Sequence, residues 1–155
     1  VQLILHNIRS VYNVGSIFRT ADAAGIEKIF LTGYTPAPTD RFGRERSDFS
    51  KVSLGAEKTV AREQIKNVYG AIKKLKEEGY TIAAIEQAPN STSLFDFKAT
   101  DKKLALVLGN EVRGLSKAIL AKCDVVLEIP MRGKKESLNV SVAAGIAMFT
   151  VAHTQ

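Results

Sequence analysis

The sequence predicts an α/β domain built on a mostly parallel sheet, and three observations carry that prediction. Short apolar runs alternate with stretches of helical periodicity along the chain. The run Leu104–Leu108, LALVL, is apolar at every position, as suits a central strand buried on both faces. Glycines stand at the ends of the two clearest helical stretches, Gly25 and Gly79, just before the next apolar run.

Taken in order, residues 2–5 form the first strand. Val14, Ile17, Phe18, Ala21 and Ala24 recur at helical spacing, Gly25 stops that helix, and residues 28–31 form the second strand. A loop rich in Pro, Thr, Asp and Arg runs from Thr35 to about Lys51. Ile65, Val68, Tyr69, Ile72 and Leu75 mark the next amphipathic helix, ahead of a strand at 81–85. The lysines of that helix, Lys73, Lys74 and Lys76, sit beside Glu77 and Glu78 and read as a solvated face. After the central run, residues 115–121 read as a short helix, 125–129 as the last strand, and 138–153 as a long helix with Ser137 in the N-cap position. That helix carries Ala143, Ala144, Gly145 and Ala147 beside Val140, Val142, Ile146 and Phe149. Small residues permit close approach of another backbone, either the sheet of the same chain or a second subunit.

At 155 residues the chain fits one domain, 1–155, with a real core. Hydrophobic residues make up 45% of it without a run of bilayer length, so a soluble protein with no membrane partner is expected. No secretory or transit signal opens it, and its start at Val1 rather than Met suggests a segment of a longer protein. Cys123 is the only cysteine, which leaves no disulfide framework and no zinc spacing and points to a cytoplasmic protein. With no histidine near it in sequence, Cys123 reads as a small buried hydrophobe. His6 and His153 stand at opposite ends without neighbouring acids, so no metal is assigned. The net charge of +6 and pI near 9.5 suit a polyanionic partner such as nucleic acid.

Three segments place glycines and polar residues at strand ends, where open α/β sheets bind ligands. They are NIRSVYNVGSIFRT from Asn7, LGNEVRGLS from Leu108 and IPMRGKKESLNV from Ile129. Neither the G-x-G-x-x-G fingerprint of dinucleotide sites nor the G-x-x-x-x-G-K-[ST] of P-loops occurs. The pair Gly133-Lys134 lacks the upstream glycine and reads as part of an exposed basic loop.

In this order and spacing, residues 13–25 (NVGSIFRTADAAG), 106–116 (LVLGNEVRGLS) and 129–144 (IPMRGKKESLNVSVAA) resemble the three motifs of the SpoU/TrmH family of SPOUT RNA 2'-O-ribose methyltransferases. The segment 79–91, with Glu86-Gln87 and Asn90-Ser91, is similar to the stretch before the second motif in eukaryotic tRNA ribose methyltransferase domains. The resemblance implies a SPOUT-type fold, a mostly parallel sheet flanked by helices with a C-terminal deep trefoil knot, one of the rare exceptions to unthreaded chains. It implies a homodimer that binds S-adenosyl-L-methionine in a bent form and transfers its methyl group to RNA. The implied cofactor residues are Leu108, Gly109, Asn110, Glu111, Gly114, Ile129, Pro130, Met131, Ser137 and Leu138. The implied catalytic set is Asn13, Arg19, Glu111, Ser137 and Asn139, with Arg19 reaching the RNA phosphate and the attacking hydroxyl, in its own subunit or across the dimer. Arginine stays protonated, so a role for it as a direct base is chemically awkward.

Several of these residues also admit plainer readings. Arg19 is placed to pair with Asp22, Asn13 and Ser137 to cap helices, and Glu111 to sit in a turn. Arg9, Arg41, Arg44, Arg46, Arg113, Arg132, Lys134 and Lys135 would give a basic rim for RNA phosphates, with Phe42 and Phe49 either stacking on bases or capping the core. The expected substrate is tRNA, ahead of rRNA. The competing classes are a catalytically inactive RNA-binding protein of the same fold, an enzyme modifying a base nitrogen, and a nucleotide-dependent oxidoreductase. The five catalytic positions argue against the first, Ser137-Leu138-Asn139 against the second, and the missing glycine fingerprint against the third.

Overall fold

The computed structural model describes residues 1–100 and 103–154. In chain order its elements are β1 (Gln2–His6), α1 (Val11–Ala24), β2 (Lys28–Thr32), α2 (Ser47–Ser53), α3 (Ala56–Thr59), β3 (Ala61–Ile65) and α4 (Val68–Glu77). They continue with β4 (Thr81–Ile85), β5 (Thr92–Ser93), β6 (Leu104–Leu108), α5 (Lys117–Lys122), β7 (Val125–Glu128) and α6 (Val140–His153). All seven strands pair in parallel, in the order β3-β2-β1-β6-β4-β7-β5.

The alternation of side chains along each strand explains why the inner strands are apolar throughout. Leu3 and Leu5 of β1, Ile29 and Leu31 of β2, and Leu104, Leu106 and Leu108 of β6 face a layer made by α1, α2, α3 and α6. The residues between them, Ile4, Phe30, Ala105 and Val107, face a second layer made by α4 and α5. Phe18 of α1 meets Phe49 of α2 edge to face, with ring centroids 5.3 Å apart. Phe49 is fully buried, so it belongs to the core and not to a base-stacking surface. Truncating Phe18 to alanine would remove about 3–5 kcal/mol from such a core.

Five local expectations are corrected. The edge strand β3, AREQI, replaces loop and helix start; its side chains are exposed or half-buried, so no apolar period marks it. Lysines fasten it instead: Lys28 and Lys74 both donate to Glu63, at 2.6 and 3.0 Å. Lys74 is thereby a fastening for β3 and not part of a free solvated face, although Lys73 remains exposed. The loop from Thr35 to Lys51 is closed by the start of α2, whose Phe49 turns inward. Helix α6 begins at Val140 with Asn139 as its N-cap, so Ser137 lies outside it. Asn13 is not a cap either: Ser10 caps α1 by accepting from the Asn13 amide, at 3.1 Å.

Because the strands are parallel, their C-terminal ends share one edge. From β1 the chain builds outward through β2 to β3, and the other half of the sheet is then laid down on the opposite side of β1. The boundary between β1 and β6 is the switch point at which such sheets open a crevice.

Candidate functional site

At that edge, the ends of β4, β6 and β7 surround a cleft. Leu108, Gly109, Asn110, Glu111, Gly114, Ile129, Met131, Ser137 and Leu138, all singled out from the sequence, line it. Pro130 instead lines a shallow depression beside it, with Gln87 and Glu136. The sequence reading missed Ile85, Glu86, Gln87, Val112, Val140 and Ala143, which complete the walls.

The floor is a tight turn after β6. Asn110 and Gly114 bridge, the Gly114 amide donating to the Asn110 carbonyl at 2.9 Å, and Gly114 adopts a φ of +62°. A Cβ on Gly109 would stand 2.7 Å from the Gly114 backbone, so only glycine fits there. Glu86 holds the turn from the β4 side, its Oε2 accepting from the Leu115 amide at 3.0 Å. The pairing of Glu86 with Gln87 in the segment similar to other methyltransferase domains was the only sequence signal for this role.

Glu111 crosses the switch point. Its carboxylate accepts from the Arg9 amide at 3.0 Å, the Ser10 amide at 3.0 Å and the Asn13 side-chain amide at 3.2 Å. Burial pushes its pKa up, but the amides of Arg9, Glu111 itself and Ser10 together with Asn13 outweigh burial, and the carboxyl is held below the usual glutamate range. It is therefore an ionised clamp and not merely a turn residue. Asn13 is 6% exposed, and with its Nδ2 given to Glu111 its Oδ1 has no partner among the described residues. A second staple lies alongside: Asn110 Nδ2 donates to the Asn7 carbonyl at 2.9 Å and to the Tyr34 hydroxyl at 3.0 Å.

Arg19 is exposed on α1 and does not line the cleft. Asp22 accepts from the Thr59 hydroxyl at 2.6 Å, and no ion pair joins it to Arg19 among the described residues. At 100° per residue, Arg19 lies on the face of α1 that carries exposed Tyr12, roughly 120° around from Asn13. Asn139 accepts from the Ser141 amide at 2.8 Å and the Ser141 hydroxyl at 2.6 Å, which places it at the start of α6 and outside the cleft lining.

The basic positions divide by partner. Arg44 pairs with Asp40 and Arg46 with Asp48, both at 3.0 Å. Phe42, 66% exposed, lies between the guanidinium groups of Arg41 and Arg44 at 4.8 and 4.9 Å. Arg9, Arg113, Arg132, Lys134 and Lys135 are exposed. Cys123 is partly buried and its thiol is pushed up to about 11 by burial, so it stays protonated near neutrality. No helix among the described residues is long and apolar enough to cross a membrane.

Comparison with known proteins identifies the family and the fold. Residues 1–149 match the model of the SpoU rRNA Methylase family. The chain is 38% identical over 149 residues to a TrmH family tRNA/rRNA methyltransferase of Staphylococcus haemolyticus, and 37% identical to one of Staphylococcus aureus. Those alignments cover 96% of this chain and 57% of each relative, so the chain spans just over half their length. Among solved structures, a TrmH/SpoU tRNA modifying enzyme of A. aeolicus superposes with a TM-score of 0.84 at 28% identity, over 98% of this chain and 73% of that one. An AdoMet-bound rRNA methyltransferase of Sinorhizobium meliloti gives a TM-score of 0.85 at 29% identity, over 96% and 54%. A protein solved to explain 2-OH methylation of C/U34 on tRNA gives 0.83 at 25% identity, over 99% and 94%.

Proposed function

The chain belongs to the SpoU rRNA Methylase family, and from that premise we propose that it transfers a methyl group from S-adenosyl-L-methionine to a ribose 2'-hydroxyl of RNA, with tRNA as the substrate class. The observation that carries the reading is the Glu111 clamp. It fixes the turn lining the cleft to the start of α1 at three points, across the switch point of the sheet. A displacement between two bound reactants needs this kind of fixed register. The A. aeolicus and C/U34 neighbours favour tRNA. The S. meliloti enzyme is the observation that favours rRNA as a second reading.

The cleft suits that cofactor. Leu108, Ile129, Met131 and Leu138 supply apolar walls, and the close packing of Gly109 against Gly114 brings the backbone of the turn, bare of side chains, to the cleft lining. When bound, S-adenosyl-L-methionine supplies an electrophilic methyl on a sulfonium. The protein's part is to hold and polarise the ribose hydroxyl. Asn13, oriented by Glu111, presents Oδ1 to accept the hydroxyl's hydrogen bond, and the proton leaves to solvent as the oxygen is alkylated. Arg19 keeps its charge and acts by holding the adjoining phosphate and stabilising the attacking oxygen.

Arg19 and Asn13 point from different faces of α1, so Arg19 serves the reaction centre of a second copy in a homodimer. Helix α6 supports this. It is apolar on all sides, and a helix of that kind is covered all round. One side is buried through Val140, Ala144, Ala147, Met148 and Val151; Val142 and Phe149 on the opposite side are 50% and 41% exposed. In the same reading Ser137, Leu138 and Asn139 form the loop that closes on the cofactor, and the exposed cations Arg9, Arg132, Lys134 and Lys135 meet RNA phosphates. Residues 1–155 act as one unit in the cytoplasm, and β6 through α6 are tied in a deep trefoil knot.

The test is transfer of labelled methyl to total tRNA and to rRNA from cells lacking this protein, with products mapped by nuclease digestion and mass spectrometry. A 2'-O-methylated nucleoside in the tRNA pool is expected. Methylation of a base nitrogen, or RNA binding with neither cofactor binding nor transfer, would overturn the assignment.

A further inference from the structure

A second groove opens on the same sheet edge, across the switch point from the cofactor cleft. It lies over the ends of β1, β2 and β3, on the side of α4 and α5, with a volume of about 700 Å³. Tyr34 and Tyr69 stand in it 57% and 40% exposed, beside Lys66 and Arg113. Among the described residues, neither cation forms an ion pair and no carboxylate lines the groove. Asn110 and Gly114 line both this groove and the cofactor cleft, so the two are neighbours divided only by the turn after β6.

The groove is built and not incidental. Asn7 takes the left-handed conformation, φ +54°, and its Oδ1 accepts from the Tyr34 amide at 3.2 Å. Gly33, at φ +62°, has no room for a side chain, since a Cβ would fall on the Asn7 side chain. The Gly33 amide donates to the Lys66 carbonyl at 2.9 Å, which ties the loop after β2 to the loop after β3. Tyr34 is further fixed through its hydroxyl to Asn110. His6 bonds Thr32 through Nδ1 at 3.0 Å and leaves its other ring nitrogen free of a partner among the described residues.

Exposed aromatic rings held beside unpaired cations are how proteins bind single-stranded nucleic acid: the rings stack on bases and the cations take phosphates. We propose that this groove binds an RNA nucleotide next to the methylated one, its base against Tyr34 and Tyr69 and its phosphate on Lys66 and Arg113. The strand would then cross the sheet edge at the turn after β6, with the reacting ribose at Asn13 on one side and the neighbouring nucleotide in the groove on the other. The proposal rests on the RNA methyltransferase reading above.

The experiment measures binding of total tRNA and rRNA across a salt series, together with S-adenosyl-L-methionine affinity, for the wild type, Tyr69→Ala and Lys66→Ala. Ultraviolet cross-linking of the wild type to the same RNA, read by mass spectrometry, is run alongside. Tyr69→Ala is expected to weaken RNA binding about tenfold, and Lys66→Ala to lower the slope of log affinity against log salt by about one. Cofactor affinity stays at the wild-type value in both, which shows that the variants fold. Cross-links are expected on Tyr34 or Tyr69. Wild-type RNA affinity and salt slope in both variants, or cross-links only outside the groove, would overturn the groove and leave the methyltransferase reading standing. A wild type that binds no RNA would overturn both.

Discussion

The turn after β6 and the loop between β7 and α6 border the same cleft but are built in opposite ways. The turn is held from three sides, by Glu111 to the start of α1, by Asn110 to Asn7 and Tyr34, and by Glu86 from β4. Among the described residues, 130–138 of the loop make a single hydrogen bond, from Gln87 to the Glu136 carbonyl at 2.7 Å, and are mostly exposed. Loops with few buried contacts open at low free-energy cost. The difference teaches a division of labour: the turn is preset by its bonding and the loop is free to move, so under the proposed function the turn would hold the reacting groups in register and the loop would admit the cofactor and close over it.

The largest way to break this comparison lies on α1. Arg19→Ala should lower methyl transfer by at least about 10²-fold while leaving cofactor affinity unchanged, as expected of a group that meets only the developing charge. Single-turnover transfer with calorimetric cofactor titration checks it; an equal loss of cofactor affinity would return Arg19 to a structural role. Next comes the clamp. Glu111→Ala strands the amides of Arg9, Ser10 and Asn13, which should cost about 2 kcal/mol in urea unfolding. The clamp also has a pH window. Folding lowers the Glu111 pKa, so its stabilisation is complete above the unfolded value of about 4.3 and is lost as pH falls through the lower folded value. Glu111→Gln should lack that acid-dependent component; identical stability profiles for variant and wild type between neutral and acid pH would contradict the clamp.

The parallel α/β fold was legible in the sequence because its inner strands are buried on both faces and so are apolar at successive positions. The edge strand β3 was not, since an edge strand fastened by Glu63 to two lysines needs no apolar period. The N-cap of α6 was misplaced by two residues because Ser137 and Asn139 are both good caps, and only the observed Asn139–Ser141 bonds distinguish them. Most of the cleft-lining residues were readable because they cluster in two short motifs. Glu86 and the tyrosine groove were not, because they are assembled from the ends of separate strands, and no sequence spacing brings Tyr34, Lys66 and Arg113 together.

Smaller effects sharpen the contrast. Gly109→Ala places a methyl group 2.7 Å from the Gly114 backbone, so the turn must shift, at a cost of about 1–3 kcal/mol. Weaker cofactor binding measured by calorimetry is the expected sign, and unchanged affinity would show that the turn is less rigid than its bonding implies. Hydrogen exchange gives the gentlest comparison. Amides of 131–138 should exchange fast in the free protein and slow when S-adenosyl-L-methionine is added, whereas the Gly114 amide, already bonded to Asn110, should be protected in both states. Equal protection of loop and turn without cofactor would erase the distinction.

The central claim is that a preset junction in one copy is completed by Arg19 of another. Mixing Asn13→Ala and Arg19→Ala proteins after dissociating the dimers tests it, with methyl transfer to RNA as the readout. Each mixed dimer holds one site with both residues intact, so the account predicts recovery to about a quarter of wild-type activity from two nearly inactive proteins. Activity no higher than that of either variant alone would contradict it.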